Sequence, residues 1–177
     1  MSYNLESVAA RLVADGKGIL AADETTPTLA KRFDILGIAS TEQSRRTYRQ
    51  MLFTSPGAAD FISGAIMYDE TIRQKTSGGT PFAEQLESQG ILPGIKVDTG
   101  AKPFAASPRE TITEGLDGLR DRLRGYRNMG ARFREVAGGD SCSRLCAKCR
   151  LCERKRACPG SICLAVSGAG LGADRRA

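Results

Sequence analysis

Histidine is missing from all 177 residues of the chain. Its absence argues against a histidine-ligated zinc centre and removes the commonest general base. No apolar run reaches the length needed to span a bilayer, and the start, MSYNLES, has no basic stretch leading into an apolar core. Neither a transmembrane helix nor a secretory signal is therefore expected, and a cytoplasmic location is the default. Cysteine is absent before residue 142, so nothing in the first 133 residues suggests a disulfide framework. Aromatic residues are absent after Phe133: all ten precede that point, whereas all six cysteines follow it.

Charge divides at the same place. The net charge of +6 would suggest an anionic or nucleic-acid partner if it were spread over the fold. Residues 1–133 carry 17 basic and 16 acidic side chains, and residues 134–177 carry nine and four. The excess is confined to the last segment, so no nucleic-acid partner is expected for the first. Two units follow, 1–133 and 134–177.

The first unit is organised around GKGILAADETTPTLAKR, Gly16 to Arg32. Ile19 to Ala22 is a continuous apolar run of the kind buried on both faces of a parallel sheet, and Asp23 and Glu24 stand at its carboxyl end. Thr26 is suited to cap a following helix, with Pro27 in its first turn and Leu29, Phe33 and Leu36 at helical spacing up to Gly37. This is a βα unit, and in parallel α/β folds the chemistry gathers at the carboxyl ends of the strands. From pattern alone, Asp23 reads first as a turn residue or a local cap.

The pattern repeats. Leu5, Val8, Ala9, Leu12 and Val13 mark one face of a preceding helix, and Ser40 with Gln43 suits a capping box for a helix running through Arg45 to Leu52. Gly64 to Tyr68 is a second apolar strand, again followed by carboxylates, Asp69 and Glu70. Thr80 and Pro81 open another helix, and Ile91 to Val97 is a third strand. Lys96 lies within it, and an ammonium on such a strand must meet water, a carboxylate or a phosphate. It is equally readable as an edge or solvent-facing lysine. Leu116, Leu119, Leu123 and Tyr126 form a helix stopped near Gly130, and Ala131 to Phe133 begins a fourth strand.

GKGILAADE with TLAKR, then RRTYRQMLFTS, GAIMYDETI, PGIKVDTG and TITEGLDGLRDRL, in order and at matching spacing, resemble the class I fructose-1,6-bisphosphate aldolases over about residues 5–133. The resemblance implies an α/β fold, a partial (β/α)8 barrel of TIM type: the first three βα units plus the start of the fourth strand. At 177 residues the chain is short for a closed barrel, which takes about 200 at the least. Unpaired edges are accordingly expected on strands 1 and 3.

The resemblance also implies a glycolytic, metal-free lyase. It would cleave fructose 1,6-bisphosphate to glyceraldehyde 3-phosphate and dihydroxyacetone phosphate through a lysine Schiff base, with no cofactor. Full-length members are commonly homo-tetramers. By position Asp23 is similar to the family's strand-end aspartate, which assists the covalent steps, and Lys96 to its third-strand lysine, an electrostatic partner of the sugar phosphate. Thr28 and Arg32 fall where the family contacts a phosphate, with threonine standing in place of serine. Arg45 is a further substrate-binding candidate, equally readable as a solvated helical arginine. The family's Schiff-base lysine lies on the sixth strand and its fourth-strand lysine in the motif AKWR. Neither is found here, so the truncated chain is expected to be inactive.

After Phe133 the sequence reads REVAGGDSC rather than AKWR. The codons of Arg134 to Ala137, read from their second nucleotide, permit Ala-Lys-Trp-Arg. The same offset over residues 154–177 permits ANAHALARYASLCQERGLVPIVEP, which resembles the family's next helix and fifth strand. Residues 134–177 are thus expected to be aldolase coding sequence read out of frame, and largely disordered for want of aromatics and apolar periodicity. The alternative is a non-enzymatic protein whose Cys142, Cys146, Cys149, Cys152, Cys158 and Cys163, mixed with arginine, bind metal or nucleic acid. Their spacing matches no two-knuckle zinc pattern.

Overall fold

The computed structural model describes residues 5–105, 107–136 and 162–165. Helix α1 (Leu5–Leu12) leads into β1 (Gly18–Ala22), α2 (Thr26–Ile35) and α3 (Glu42–Phe53). A single turn, α4 (Ala58–Phe61), precedes β2 (Ile62–Met67), which is followed by α5 (Asp69–Arg73), α6 (Phe82–Ser88) and β3 (Leu92–Lys96). An antiparallel hairpin, β4 (Ala101–Phe104) and β5 (Ser107–Thr113), leads to α7 (Leu119–Asn128) and β6 (Phe133–Glu135). Strand β7 (Ile162–Ala165) completes a sheet of order β1-β2-β3-β6-β7. The first four strands are parallel, and β7 runs antiparallel to β6. Parallel neighbours joined through helices are the barrel's repeating unit, and the fourth strand is present.

Sheet register explains the division of the core. Ile19, Gly64, Ile66, Leu92, Gly94 and Phe133 fall on one face by pairing and alternation, and α1 closes its lower part with Val8 and Leu12. The opposite face carries Ala22, Ala65, Met67, Ile95 and Val97 against Phe53, Phe82, Leu86 and Tyr126 of the helices. Gly94 has no alternative on the inner face, because a Cβ there would lie inside the Phe133 ring. The inner face is the side a barrel would enclose. It continues upward along the same alternation into Asp23, Lys96 and Glu135.

Several sequence expectations are refined by local geometry. The capping box is formed by Thr41 and Ser44, each side chain meeting the other residue's backbone N–H, one residue on from Ser40 and Gln43. Thr25, not Thr26, occupies the N-cap position of α2, without a side-chain capping hydrogen bond, so Thr26 is already helical. The helix ends as expected at Gly37, whose φ of 67° is readily adopted only by a residue without Cβ. Leu36 and Val13 lie off their helices' buried stripes and are exposed. Leu116 stays outside α7, which begins after the left-handed Gly118.

Strand β3 is not an edge: Gly94 to Lys96 pair with Phe133 to Glu135, which places β3 between β2 and β6. Among the described residues β1 pairs only with β2. The β4–β5 hairpin was not legible beforehand because Pro103 and Ser107 read as loop punctuation, although the β-branched run Thr111 to Thr113 was a strand signal. Beyond Glu135, Val136 and β7 are described. The disorder expected for the rest of 134–177, and the metal-binding alternative at Cys142, Cys146, Cys149, Cys152 and Cys158, lie outside the described residues. No helix among the described residues is long and apolar enough to cross a membrane.

Candidate active site at the strand ends

Strand alternation puts Lys96 and Asp98 on one side of the chain, and a short extended segment holds them within reach of each other. Asp98 is the fixed point. Its side chain is fully buried, its Oδ1 accepts the Gly100 N–H at 2.8 Å, and both its oxygens face Lys96 Nζ, at 3.2 and 3.3 Å. On the other side of the ammonium, Asp23 Oδ2 lies 3.6 Å from Nζ. Asp23 comes from the end of β1 and Lys96 from the end of β3, so the pair bridges the mouth of the half-barrel across β2. Burial by itself would lower the pKa of Lys96. The hydrogen bond to Asp98 and the negative charges of Asp98, Asp23 and Glu135 outweigh it, and Lys96 is held protonated above the ordinary lysine range.

Glu135 enters from the other flank. It pairs in register with Lys96, and its Oε2 is buried without a hydrogen-bond partner. Burial raises its pKa, the charge of Asp23 adds to that, Lys96 opposes it and Asp98 adds again, leaving Glu135 above the usual carboxylate range.

Glu24 turns the opposite way, toward α3. There Arg45 and Arg49, four residues apart on one helical face, capture the acids that follow two strands. Arg49 is buried, donates Nη1 to Glu24 Oε2 and Nη2 to the Glu24 carbonyl at 2.9 Å. Arg45 forms a two-pronged pair with Glu70, Nε to Oε2 at 2.8 Å and Nη2 to Oε1 at 2.6 Å. Tyr48 Oη is 3.4 Å from Glu24 Oε1. Burial would raise the Glu24 pKa, but the hydrogen bond from Arg49, a backbone N–H and the charges of Arg49 and Arg32 leave it lowered.

Of the five residues singled out from the sequence, the structure brings Asp23 and Lys96 together. Arg32 reaches back along α2 to Glu24 Oε1 and remains more than half exposed. Thr28 shares a hydrogen bond with Thr25, 3.0 Å between hydroxyl oxygens, at the amino end of α2. Arg45 is not a solvated arginine: it is nearly buried and paired with Glu70 and the Ser40 carbonyl. Asp98 was missed, although its two-residue offset from Lys96 signalled a shared face. Arg49 and Glu24 are 25 positions apart, and nothing local announces their pairing. Glu135 was set aside with the segment read as out of frame.

What the cluster can do chemically follows from its charges. A fixed ammonium can hold a hydroxyl, carbonyl or phosphate oxygen, and Asp23, partly exposed beside it, can accept a proton from a bound hydroxyl. Among the described residues no group of three or more His, Cys, Asp or Glu is disposed to hold a metal ion.

Known proteins resemble this chain over most of its length. The family profile for fructose-bisphosphate aldolase class-I, described as glycolytic, matches residues 4–137. A probable fructose-bisphosphate aldolase class 1 of Xanthomonas campestris pv. campestris is 58% identical over 129 residues, covering 73% of this chain and 39% of that protein. The cytosolic fructose-bisphosphate aldolase 6 of Arabidopsis thaliana is 51% identical over 125 residues, 71% of this chain and 35% of its own length. Among solved structures, the Plasmodium falciparum fructose-bisphosphate aldolase, in a ternary complex with TRAP and a small-molecule inhibitor, superposes with a TM-score of 0.70 at 46% identity, over 72% of this chain and 37% of that one. The chain thus spans about two fifths of the length of the relatives it matches. On the family match, the sequence identity and the shared parallel sheet, the chain belongs to the class I fructose-bisphosphate aldolase family.

Proposed function

We propose that the chain carries the amino-terminal half of a Schiff-base aldolase site, whose ligands are fructose 1,6-bisphosphate and the triose phosphates glyceraldehyde 3-phosphate and dihydroxyacetone phosphate. The observation that carries this reading is the Lys96 ammonium held between Asp98 and Asp23 at the strand ends. In it Lys96 binds a substrate oxygen, and Asp23 accepts hydrogen bonds from sugar hydroxyls and moves a proton during the covalent steps. Thr28 and Arg32, with the free backbone N–H groups of the first turn of α2, hold a phosphate, for which Arg32 must exchange its bond to Glu24. Arg45 positions Glu70 in the first turn of α5 and does not touch the ligand.

The covalent nucleophile is a different matter. Lys96 is unsuited to attack a ketone, because its carboxylate neighbours keep it protonated. The family's sixth-strand lysine and its AKWR lysine have no counterpart in these 177 residues, so this chain by itself is proposed to bind substrate without cleaving it. Residues 134–177 are proposed to be aldolase coding sequence read one nucleotide out of register. Re-reading the DNA across the Phe133 and Arg134 codons tests that point, and a confirmed frame contradicts it. A cytoplasmic location and assembly of the full-length protein as a homo-tetramer belong to the same reading.

The binding reading is tested by titrating the purified chain with fructose 1,6-bisphosphate in a calorimeter. Saturable binding to wild type, weakened about tenfold or more in Lys96→Met and in Asp23→Asn, is expected for charged groups that touch the ligand. Equal binding by all three proteins would remove both residues from the site.

A further inference from the structure

Strand β1 is an open end of the sheet: among the described residues it pairs only with β2, along one edge. Its burial shows the consequence. All of β2 except Ile62 is buried, whereas in β1 only Ala22 is, with Gly18 and Ala21 exposed and Ile19 and Leu20 half-buried. An unpaired edge is a template for another strand unless a charge, a proline or a bulge blocks it. Gly18–Ala22 holds no charged residue and no proline, and the irregularity in its ladder, between Gly18 and Ile19, leaves residues 19–22 regular. Lys17, which could guard the start of the strand, is turned aside to donate its Nζ to the Ala59 carbonyl at 2.5 Å, a neutral acceptor.

We infer that β1 is a docking edge for β1 of a second copy of this chain, the two strands running antiparallel about a twofold axis at Leu20. What selects a second copy is the strand's self-complementarity. Antiparallel pairing centred on Leu20 sets Gly18 opposite Ala22 and Ile19 opposite Ala21, so each copy's exposed alanine covers the other's half-buried isoleucine. One step further out it sets Lys17 opposite Asp23, and the twofold axis makes that match twice. Asp23 has room for such a neighbour, being partly exposed and 3.6 Å from Lys96 Nζ. Lys17 in turn exchanges a neutral carbonyl for a carboxylate, and each copy lends it to the mouth of the other's site. A shift of one residue would instead join the inner face of one copy to the helix-covered face of the other, which fixes the register.

The test is sedimentation equilibrium of the full 177-residue chain over roughly 1 to 100 µM, a range in which mass action separates monomer from dimer. Wild type is expected to associate as far as a dimer and no further, because twofold pairing occupies β1 of both copies. Ala21→Lys puts a lysine on the exposed edge, the device that keeps natural edges apart, and is expected to weaken association about tenfold or more. Ala21→Ser leaves the edge open and should dimerise like wild type. Lys17→Gln should weaken the dimer about threefold at low ionic strength and less in high salt, as an exposed ion pair requires. Circular dichroism shows whether Ala21→Lys keeps its fold; if it does not, the salt-dependent loss in Lys17→Gln decides. A wild-type chain that stays monomeric throughout, that assembles beyond two copies, or that dimerises as well in both Ala21→Lys and Lys17→Gln overturns the inference. The sugar-phosphate reading is judged separately, by the calorimetry above.

Discussion

Lys96 Nζ and Asp23 Oδ2 lie 3.6 Å apart although they sit on strands separated by a third, β2. The bridge is possible because Asp98, fully buried and fixed by the Gly100 N–H, holds the ammonium from the far side. Removing the cation therefore takes the Lys96 partner away from a buried carboxylate. Lys96→Met is expected to cost about 3 kcal/mol in urea unfolding at pH 7, the usual penalty for breaking a buried ion pair from one side. Asp23→Asn, at a partly exposed position, is expected to cost about 1 kcal/mol or less. Equal losses would mean that Asp98 is not the anchor.

Glu24 and Arg49 couple the end of β1 to α3, and the coupling has a pH signature. The folded-state pKa of Glu24 is depressed, so its stabilising contribution is present above the unfolded-state glutamate value of about 4.3 and is lost as pH falls through the folded value. Glu24→Gln is expected to flatten the acid limb of a stability-versus-pH curve measured by urea midpoints below about pH 5. Arg49→Met should cost about 3 kcal/mol at pH 7, less when combined with Glu24→Gln, because the double variant leaves no unpaired carboxylate. Additive losses would contradict the coupling.

The parallel sheet and its helices were legible because apolar runs ending in carboxylates alternate with helical periodicity. The spacing of Ile19 to Ala22 and of Gly64 to Tyr68 announced strands β1 and β2. Asp23 and Lys96 were legible as site residues through the family resemblance, since a strand-end acid and a strand lysine each have ordinary explanations taken alone. The Arg49–Glu24 and Arg45–Glu70 pairs were not legible. They join α3 to carboxylates 25 residues away, and only packing decides which arginine faces inward. Glu135 could be placed only once the fourth strand was seen in register with Lys96.

Phe133 fills the inner face that Gly64 and Gly94 leave open. Gly94→Ala would drive a methyl group into its ring and is expected to destabilise by about 2 kcal/mol or more, an overpacking penalty. Phe133→Leu should recover part of that loss in the double variant while costing stability alone. At Gly18, where an added Cβ meets nothing within 4 Å, the same substitution should change the urea midpoint little. A Gly94→Ala variant as stable as wild type would show that Phe133 does not pack over β3.

The most direct measurement is covalent trapping. The chain is saturated with dihydroxyacetone phosphate, treated with sodium borohydride, and weighed intact by mass spectrometry. Borohydride reduces a lysine iminium to a stable secondary amine, so any Schiff base formed would persist as added mass. Because Lys96 is held protonated between Asp98 and Asp23, the expected result is saturable binding with the mass of the chain unchanged. A phosphate-bearing adduct that maps to Lys96 would contradict the assignment of that lysine as an electrostatic group. An adduct on any other lysine would contradict the proposal that these residues form a binding half-site without a nucleophile.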